Sequence, residues 1–550
     1  MDRLDSELAP RFSPWWLVAP LLVSAAVRDL WAPDEPRYAM VAKWVYDHGE
    51  FLILRRCGEL YPDKPPFLYW ASGLLGWLSG WSVFAMRLVS VVATVLTAWM
   101  VRKLARRWLG ELEAAWAPVL FLGFALVGWH GARLQLDPAL MAACTGALVL
   151  ASAPAASARE ASRNALLAGL CTGVAAFDKG PVAFLNVGLP LVLWRAFGLA
   201  RGPRASRPAF AAALALAVVP VAAWAGLASY VEPSLARPLF FGQHLGRAVS
   251  GERHRGPPWE PLLEMPLYLL PWTVPVVLGL ASAFRDWRAR RRGAPHSEGR
   301  LRAGLWLAGL FVFFSAIPAK RELYLLPAYP ACALLGACAL AEGLRGARVG
   351  RWAGWVPLAL LGAFASAGLA TAASLVLEPD RVVRWAKLPA DGLAWRAALV
   401  GLVFALGTLL VWRARARAAH TVWARRVALA WCAGVVLAYA LVLAPVDRLK
   451  SDRATAELLR SLGRHPSEIP FYGVGPDGVR FYDGGPCVPV ETTGLEDGDI
   501  ERRLSAQGEQ FLAVVQRADW ERLAPERKTR FALLAERRTG GDDYVVLGRP

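Results

Sequence analysis

Residues 209–230 read AFAAALALAVVPVAAWAGLASY, twenty-two positions without one charged side chain. A helix that crosses the hydrocarbon core of a bilayer needs about 20 mostly apolar residues. Runs of comparable size centre on 13–31, 84–101, 114–130, 136–154, 164–178, 181–198, 266–284, 303–318, 323–342, 353–377, 394–412 and 424–446. With 209–230 they predict a polytopic α-helical membrane protein of about thirteen transmembrane helices over residues 1–446. Arg28 and Asp29 follow the first run where a secretory signal would carry a small-residue cleavage site, so that run is expected to stay as a span. From residue 447 the composition changes to that of a soluble unit. Residues 447–550 hold 16 Lys and Arg against 18 Asp and Glu, and β-rich pieces at 471–474, 479–482, 511–515 and 544–547 alternate with helical pieces at 451–462 and 520–523. That pattern predicts a small α/β domain.

The composition agrees. Of 550 residues, 56% are hydrophobic and 19% charged, against about 25% charged in soluble domains. Twenty-five tryptophans suit a chain that meets the lipid–water interface. The net charge of +18 would by itself suggest nucleic-acid binding, but the apolar content excludes a soluble nucleic-acid binder. Seven cysteines are too sparse for a disulfide-stapled fold. The positive charge is concentrated in alternate connectors: Arg102, Lys103, Arg106 and Arg107; Arg159 and Arg163; Arg195 to Arg207; Arg285 to Arg302; Arg345 to Arg351; Arg413 to Arg426. Basic short loops stay cytoplasmic. The N-terminus is therefore expected inside, and after thirteen crossings residues 447–550 outside, in the periplasm of a bacterial inner membrane.

The opposite loops carry the chemistry. The first, from Arg28 to about Trp81, contains Ala32-Pro33-Asp34-Glu35-Pro36-Arg37-Tyr38-Ala39. A proline just inside the first turn and Gly49 predict a helix from Asp34 to about His48, amphipathic and lying on the membrane surface. Tyr61-Pro62-Asp63-Lys64-Pro65-Pro66 follows, then a Trp-rich surface helix over 67–78. Taken singly, Asp34 and Glu35 read as helix caps paired with Arg37, and Lys64 as a snorkelling lysine. Repetition shifts the balance: Asp137, Lys179, Lys320, Arg321 and Tyr324 all fall at the same end of their spans. Ionisable groups at membrane depth are costly and usually face a cavity, and these can share one. Lysines and arginines hold phosphates, and a carboxylate can take a proton from an attacking hydroxyl. A membrane-embedded substrate whose lipid phosphate leaves fits that set. The loop with His244, Arg247 and His254 adds two histidines; with the carboxylates they permit a divalent cation (Zn, Mg or Mn), although the spacing is no metal signature.

In order along the chain, Asp34-Glu35-Pro36-Arg37-Tyr38-Ala39, Asp63-Lys64-Pro65-Pro66 with Tyr69-Trp70, Lys179-Gly180-Pro181, Phe240-Phe241 with His244 and Arg247, His254 with Pro258-Trp259, and Lys320 with Tyr324-Leu325-Leu326-Pro327 resemble the motifs of the bacterial aminoarabinose (lipid A) transferases and related family 39, protein-mannosyltransferase-like enzymes. The resemblance covers about residues 30–330. It implies a GT-C fold and an inverting glycosyltransferase that moves a sugar, pentose or hexose, from a polyprenyl-phosphate donor to lipid A, a protein or another envelope acceptor at the periplasmic face. It makes Asp34, with Glu35 and Asp137, the catalytic carboxylates. Arg37, Lys64, Lys179, Lys320, Tyr324 and Arg247 would hold the donor phosphate, and Asp63 with His244 or His254 a metal. Asp63 stands where these enzymes carry Glu, and Gln243 replaces another Glu. The partners implied are the donor, the acceptor and membrane lipids, with no nucleic acid, for a chain expected to act as a monomer.

A polyprenyl-dependent polysaccharide ligase or polymerase is the nearest alternative; the Asp34 and Lys64 motifs in the first loop speak against it. A lipid-linked sugar flippase would place broken helices and charges at the midplane of paired repeats, and no repeat is evident. Cysteines introduced singly between 285 and 302 test the topology: a membrane-impermeant thiol reagent added to intact cells should leave them unmodified, and modification there would invert the assignment.

Overall fold

The computed structural model describes residues 3–200, 202–239, 255–346, 355–378, 392–417, 420–462, 469–473, 475–484, 492–493, 511–523, 525–539 and 542–549. The chain begins with α1 (Arg3–Leu8), α2 (Ala19–Val27) and α3 (Asp34–His48), then a ribbon of β1 (Arg55–Arg56) and β2 (Glu59–Leu60), then α4 (Phe67–Leu78) and α5 (Val83–Trp108). It continues with α6 (Glu111–Gly123), α7 (Ala125–His130), α8 (Leu136–Ala151), α9 (Ala158–Lys179), α10 (Val182–Ala196) and α11 (Arg207–Val231). After these come α12 (Glu260–Tyr268), α13 (Thr273–Arg291), α14 (Glu298–Ala316), a 3-10 segment (Glu322–Ala328), α15 (Tyr329–Leu344), α16 (Trp355–Leu377), α17 (Leu393–Ala416) and α18 (His420–Lys450).

Where they are described, the apolar runs of the sequence are mostly helical, but 114–130 and 266–284 are each divided between two helices and 13–31 begins in a 3-10 segment. Among the described residues six helical segments are long and apolar enough to cross a membrane: Val83–Trp108, Arg207–Val231, Glu322–Leu344, Trp355–Leu377, Leu393–Ala416 and His420–Asp447. The others are shorter or more charged; α8 has 16 residues and α10 has 15. Helix starts follow local chemistry. The hydroxyls of Ser82, Ser157 and Ser206 accept from the backbone N–H groups of Ala85, Glu160 and Ala209 and so cap α5, α9 and α11. The core lies around α5, α6 and α15, where Trp116, Phe121, Tyr329 and Leu335 are fully or almost fully buried. Helices α11, α16 and α17 expose apolar faces, with Phe210, Leu214, Val376 and Leu402 on the outside, as helices in contact with acyl chains do.

The first-loop helix runs from Asp34 to His48 and ends at Gly49, whose φ of 69° is left-handed. It is not the surface helix that its sequence predicts. Tyr38 through Val45 are buried, because α4 packs on one side and a helix of the tail, Asp477–Asp483, on another. Helix α4 does keep an open apolar face, with Trp77 58% and Leu78 66% exposed.

In the tail, α19 (Arg453–Ser461) leads into β3 (Phe471–Tyr472), α20 (Asp477–Asp483), β4 (Thr492–Thr493), β5 (Leu512–Gln516), β6 (Ala532–Thr539) and β7 (Asp542–Gly548). The sheet order is β4-β3-β5-β7-β6. Strand β3 is parallel to β4 and β5, and β7 is antiparallel to β5 and β6. Residues 479–482, expected as a strand, form a helix: Pro476-Asp477 starts it and Gly484, φ 74°, stops it. Strand β6 has no strong apolar alternation and is found only as the partner of β7. The tail is fastened to the first loop. Asp447 accepts from the backbone N–H of Asp29 (3.1 Å) and the indole of Trp31 (2.5 Å), and the Tyr482 hydroxyl accepts from the N–H of Leu30 (2.6 Å).

Gly169 and Gly173 bring α9 against α11. A Cβ on Gly169 would lie 2.3 Å from the Ala213 carbonyl oxygen, and one on Gly173 2.3 Å from that of Leu216. Small residues four apart permit this approach in membrane helices. Gly169→Leu should cost about 1–3 kcal/mol through overpacking, read as a lowered unfolding temperature of the detergent-solubilised protein; an unchanged melt would show that the two helices separate freely.

Candidate active site

Two carboxylates adjacent in sequence have different surroundings. Pro33 ends the preceding segment and Pro36 lies in the first turn of α3, so Asp34 and Glu35 head the helix and diverge. Glu35 is fully buried. One oxygen accepts from Arg87 Nε (2.9 Å) and the backbone N–H of Leu134 (2.9 Å); the other accepts from Arg87 Nη2 (3.0 Å), Arg28 Nη1 (3.3 Å) and the N–H of Trp31 (3.1 Å). Arg133 approaches to 3.9 Å. Burial alone would raise the Glu35 carboxyl, but Arg87, Arg28 and Arg133 together hold it far below the usual carboxylate range. Both oxygens are occupied by protein donors, so none is left for a substrate. The arginines in turn use backbone carbonyls: Arg87 donates to Ala25, Arg28 and Asp29, and Arg28 to Ser24 and Ala132.

Asp34 faces the other way. Its Oδ1 accepts from Arg37 (2.6 Å) and its Oδ2 from Arg321 (3.0 Å). Burial pushes this carboxyl up, and the guanidinium groups of Arg321 and Arg37 more than reverse that, so it stays ionised below the ordinary range. Behind it stands an aromatic group. Tyr38 and Tyr61 each pack edge-on against Tyr69, the hydroxyls of Tyr61 and Tyr69 are 3.3 Å apart, and Arg37 lies over Tyr38. Burial raises the Tyr38 phenol well above its usual value and the Tyr61 phenol to about 12, so both stay protonated as donors.

Asp137, in the first turn of α8, is ion-paired with Lys179 at the end of α9. The Lys179 ammonium lies 5.6 Å from the centre of the Tyr324 ring. Tyr38 feels the charges of both Asp34 and Asp137, which puts the two carboxylates on one site. Lys64 interacts electrostatically with Asp178, the neighbour of Lys179, and Asp63 acts on Tyr61. The structure thus brings together Asp34, Arg37, Lys64, Asp137, Lys179 and Tyr324. An apolar cavity of about 480 Å³ reaches the site only through Glu322, the neighbour of Arg321; its wall also includes His130, Tyr268, Trp129 and Tyr439. Glu322 follows Arg321 directly, and its carboxylate stands 3.7 Å from His130 Nε2.

Lys320 lies beside Arg321, Glu322 and Tyr324 around a small pocket. Its ammonium donates to the carbonyls of Phe314, Ser315 and Ile317 at the end of α14, which uses all three of its hydrogens. Arg321, one position on, pairs with Asp34. Arg247, His244 and His254 lie outside the described residues. Among the described residues no group of three or more His, Cys, Asp or Glu could hold a metal ion. Sequence reasoning missed Arg28, Arg87 and Arg133. For Arg87 a signal existed: it interrupts an otherwise uncharged apolar run.

A bundle of apolar helices with buried charge at one end, an apolar cavity beside it and a small α/β tail places the chain among helical membrane proteins of the GT-C class. The ArnT protein of Cupriavidus metallidurans, crystallised with undecaprenyl phosphate, has the same fold, with a TM-score of 0.73, 22% identity and 96% of each chain covered. The sequence profile of the dolichyl-phosphate-mannose-protein mannosyltransferases matches residues 63–224. The undecaprenyl phosphate-alpha-4-amino-4-deoxy-L-arabinose arabinosyl transferase 1 of Sodalis glossinidius is 30% identical over 403 residues, 71% of this chain and 68% of its own. The chain belongs to the family of these arabinosyl transferases. The corresponding transferase of Edwardsiella ictaluri is 31% identical over 339 residues, and the match spans 59% of its length and 59% of this chain.

Glu35→Gln should destabilise the protein by about 3–5 kcal/mol, since it leaves buried guanidinium groups uncompensated. The check is thermal unfolding with Asp34→Asn as comparison; equal melts for the two variants would remove the distinction between them.

Proposed function

We propose that the protein is an inverting glycosyltransferase that takes a pentose of the aminoarabinose kind, or a hexose, from a polyprenyl-phosphate donor and passes it to lipid A, a protein or another envelope acceptor. The observation that carries this reading is the Asp34 carboxylate between two guanidinium groups, at the same end of the bundle as the Asp137–Lys179 pair. The activities of its relatives support it. In this reading Lys64, Lys179, Arg37 and Arg321 hold the lipid phosphate as it leaves, with Tyr324 and, from outside the described residues, Arg247 completing the site. The cavity of about 480 Å³ takes lipid chain. Glu35 is assigned a positioning role in place of the catalytic one.

Asp34 is a weak base, because Arg321 and Arg37 keep its proton off. A weak base removes a hydroxyl proton poorly, which favours an acceptor that is already an anion, such as a phosphate group of lipid A. Asp34 then fixes Arg37 and Arg321 and balances charge at the transferring carbon. The topology proposed is thirteen spans with the N-terminus in the cytoplasm of a bacterial inner membrane, a membrane domain at 1–446 and a periplasmic α/β domain at 447–550, acting as a monomer.

Mass spectrometry of envelope lipids and glycoproteins from cells with and without the gene should show one component losing a sugar while the polyprenyl-linked donor accumulates. Restoration by Asp34→Asn should fall at least about 100-fold short of the unaltered protein. No change in any glycosylated component, or full restoration by that variant, would contradict the assignment.

A further inference from the structure

We infer that the protein carries a second phosphate site, for the head group of an anionic phospholipid, at the end of the bundle opposite Asp34. Helix α5 supplies the ruler. Arg87, near its start, belongs to the Glu35 cluster, and Arg107, in its last turn, is twenty residues further on. At 1.5 Å per residue that is about 30 Å, the thickness of the hydrocarbon core. A cavity of about 470 Å³ lies at this far level, between the ends of α5 and α8 and the start of α9. Lys103, Arg107, Arg163, Glu160 and Asn164 line it on the polar side, and Val149, Leu150 and Leu167 on the apolar side.

The charge is in excess and only partly used. Arg107 donates to the Val149 carbonyl (2.7 Å) and weakly to the Ser152 hydroxyl (3.4 Å). Glu160 accepts from the Ala156 N–H (2.9 Å) and stands 3.6 Å from Arg163, whose side chain is 67% exposed. Three cations against one carboxylate leave room for an anion. What selects a lipid over a free ion is the surface beneath. On α5, Leu96 and Trp99 are exposed at positions seven and four before Lys103, and the Lys103 ammonium sits 4.5 Å from the centre of the Trp99 ring. On α9, Leu167 and Leu170 are exposed at four and seven after Arg163. Residues three, four and seven apart share one face of a helix. Each helix therefore offers an apolar stripe that ends in a cation at the same depth, the form of a phosphate with acyl chains below it. Basic pockets between helices at a membrane face bind anionic head groups. The site is separate from the Asp34 site and does not rest on the proposed reaction.

The test is native mass spectrometry of the full-length protein in detergent, titrated with phosphatidylglycerol and, separately, phosphatidylcholine. The unaltered protein should retain phosphatidylglycerol in preference. Lys103→Glu combined with Arg163→Glu should weaken that retention at least about tenfold, whereas Lys103→Arg with Arg163→Lys should keep it, and Lys179→Ala in the other site should leave it unchanged. Thermal melts of all variants establish that they are folded. Equal retention by the double glutamate variant, loss in the charge-conserving variant, or displacement of the lipid by excess inorganic phosphate would each overturn the proposal.

Discussion

The buried ion cluster around Glu35 is the constraint on which the rest of the site depends. A carboxylate without solvent is tolerated only when charge and hydrogen bonds replace water. Here Arg87 and Arg28 supply the charge, and two backbone N–H groups supply the remaining bonds. Because the arginines also hold carbonyls at the end of α2 and in the 131–135 turn, one residue fastens α2, α3, α5 and the start of α8. Asp34 is the next residue back, so its direction is set by that anchor. Asp137 follows the fastened turn by only a few residues.

The distribution of cations on α5 shows why net charge says little in such a protein. Arg87 at one end is fully buried and structural; Lys103 at the other is exposed to the lipid–water boundary. The basic residues near Asp34 share buried carboxylates, Arg37 and Arg321 on Asp34 and Arg28 and Arg87 on Glu35, whereas the far-end cavity sets three cations against one carboxylate. Two guanidinium neighbours keep the Asp34 carboxylate ionised. The excess at the far end is the charge on which the proposed orientation and the proposed lipid site rest.

Much of this was legible in the sequence. Uncharged runs marked the helices, because a bilayer span needs length and apolarity and little else. Asp34, Arg37, Asp137 and Lys179 stood out because charge at span ends needs a reason, and the structure gathers them. Residue-level roles were less visible. Glu35 looks like its neighbour in sequence, and only the packing of α5 and the 131–135 turn seals it. Lys320 and Arg321 are adjacent cations of equal promise; the open carbonyls at the end of α14 take the lysine and leave the arginine for Asp34. Helix α3 has an amphipathic pattern that suits a membrane surface, but the tail covers it, and a contact between segments more than 400 residues apart leaves no local trace. The helix at 477–483 was readable from its Pro-Asp start and Gly stop, which outweigh the β-rich composition between them.

The central claim is that the cations around Asp34 and Asp137 recognise the phosphate of a polyprenyl lipid. Equilibrium binding of undecaprenyl phosphate to the purified protein, set beside undecaprenol of the same chain length, tests it most directly. Saturable binding of the phosphate, much weaker binding of the alcohol, and loss of the difference in Lys179→Ala are expected. Equal affinity for the two lipids in the unaltered protein would contradict it.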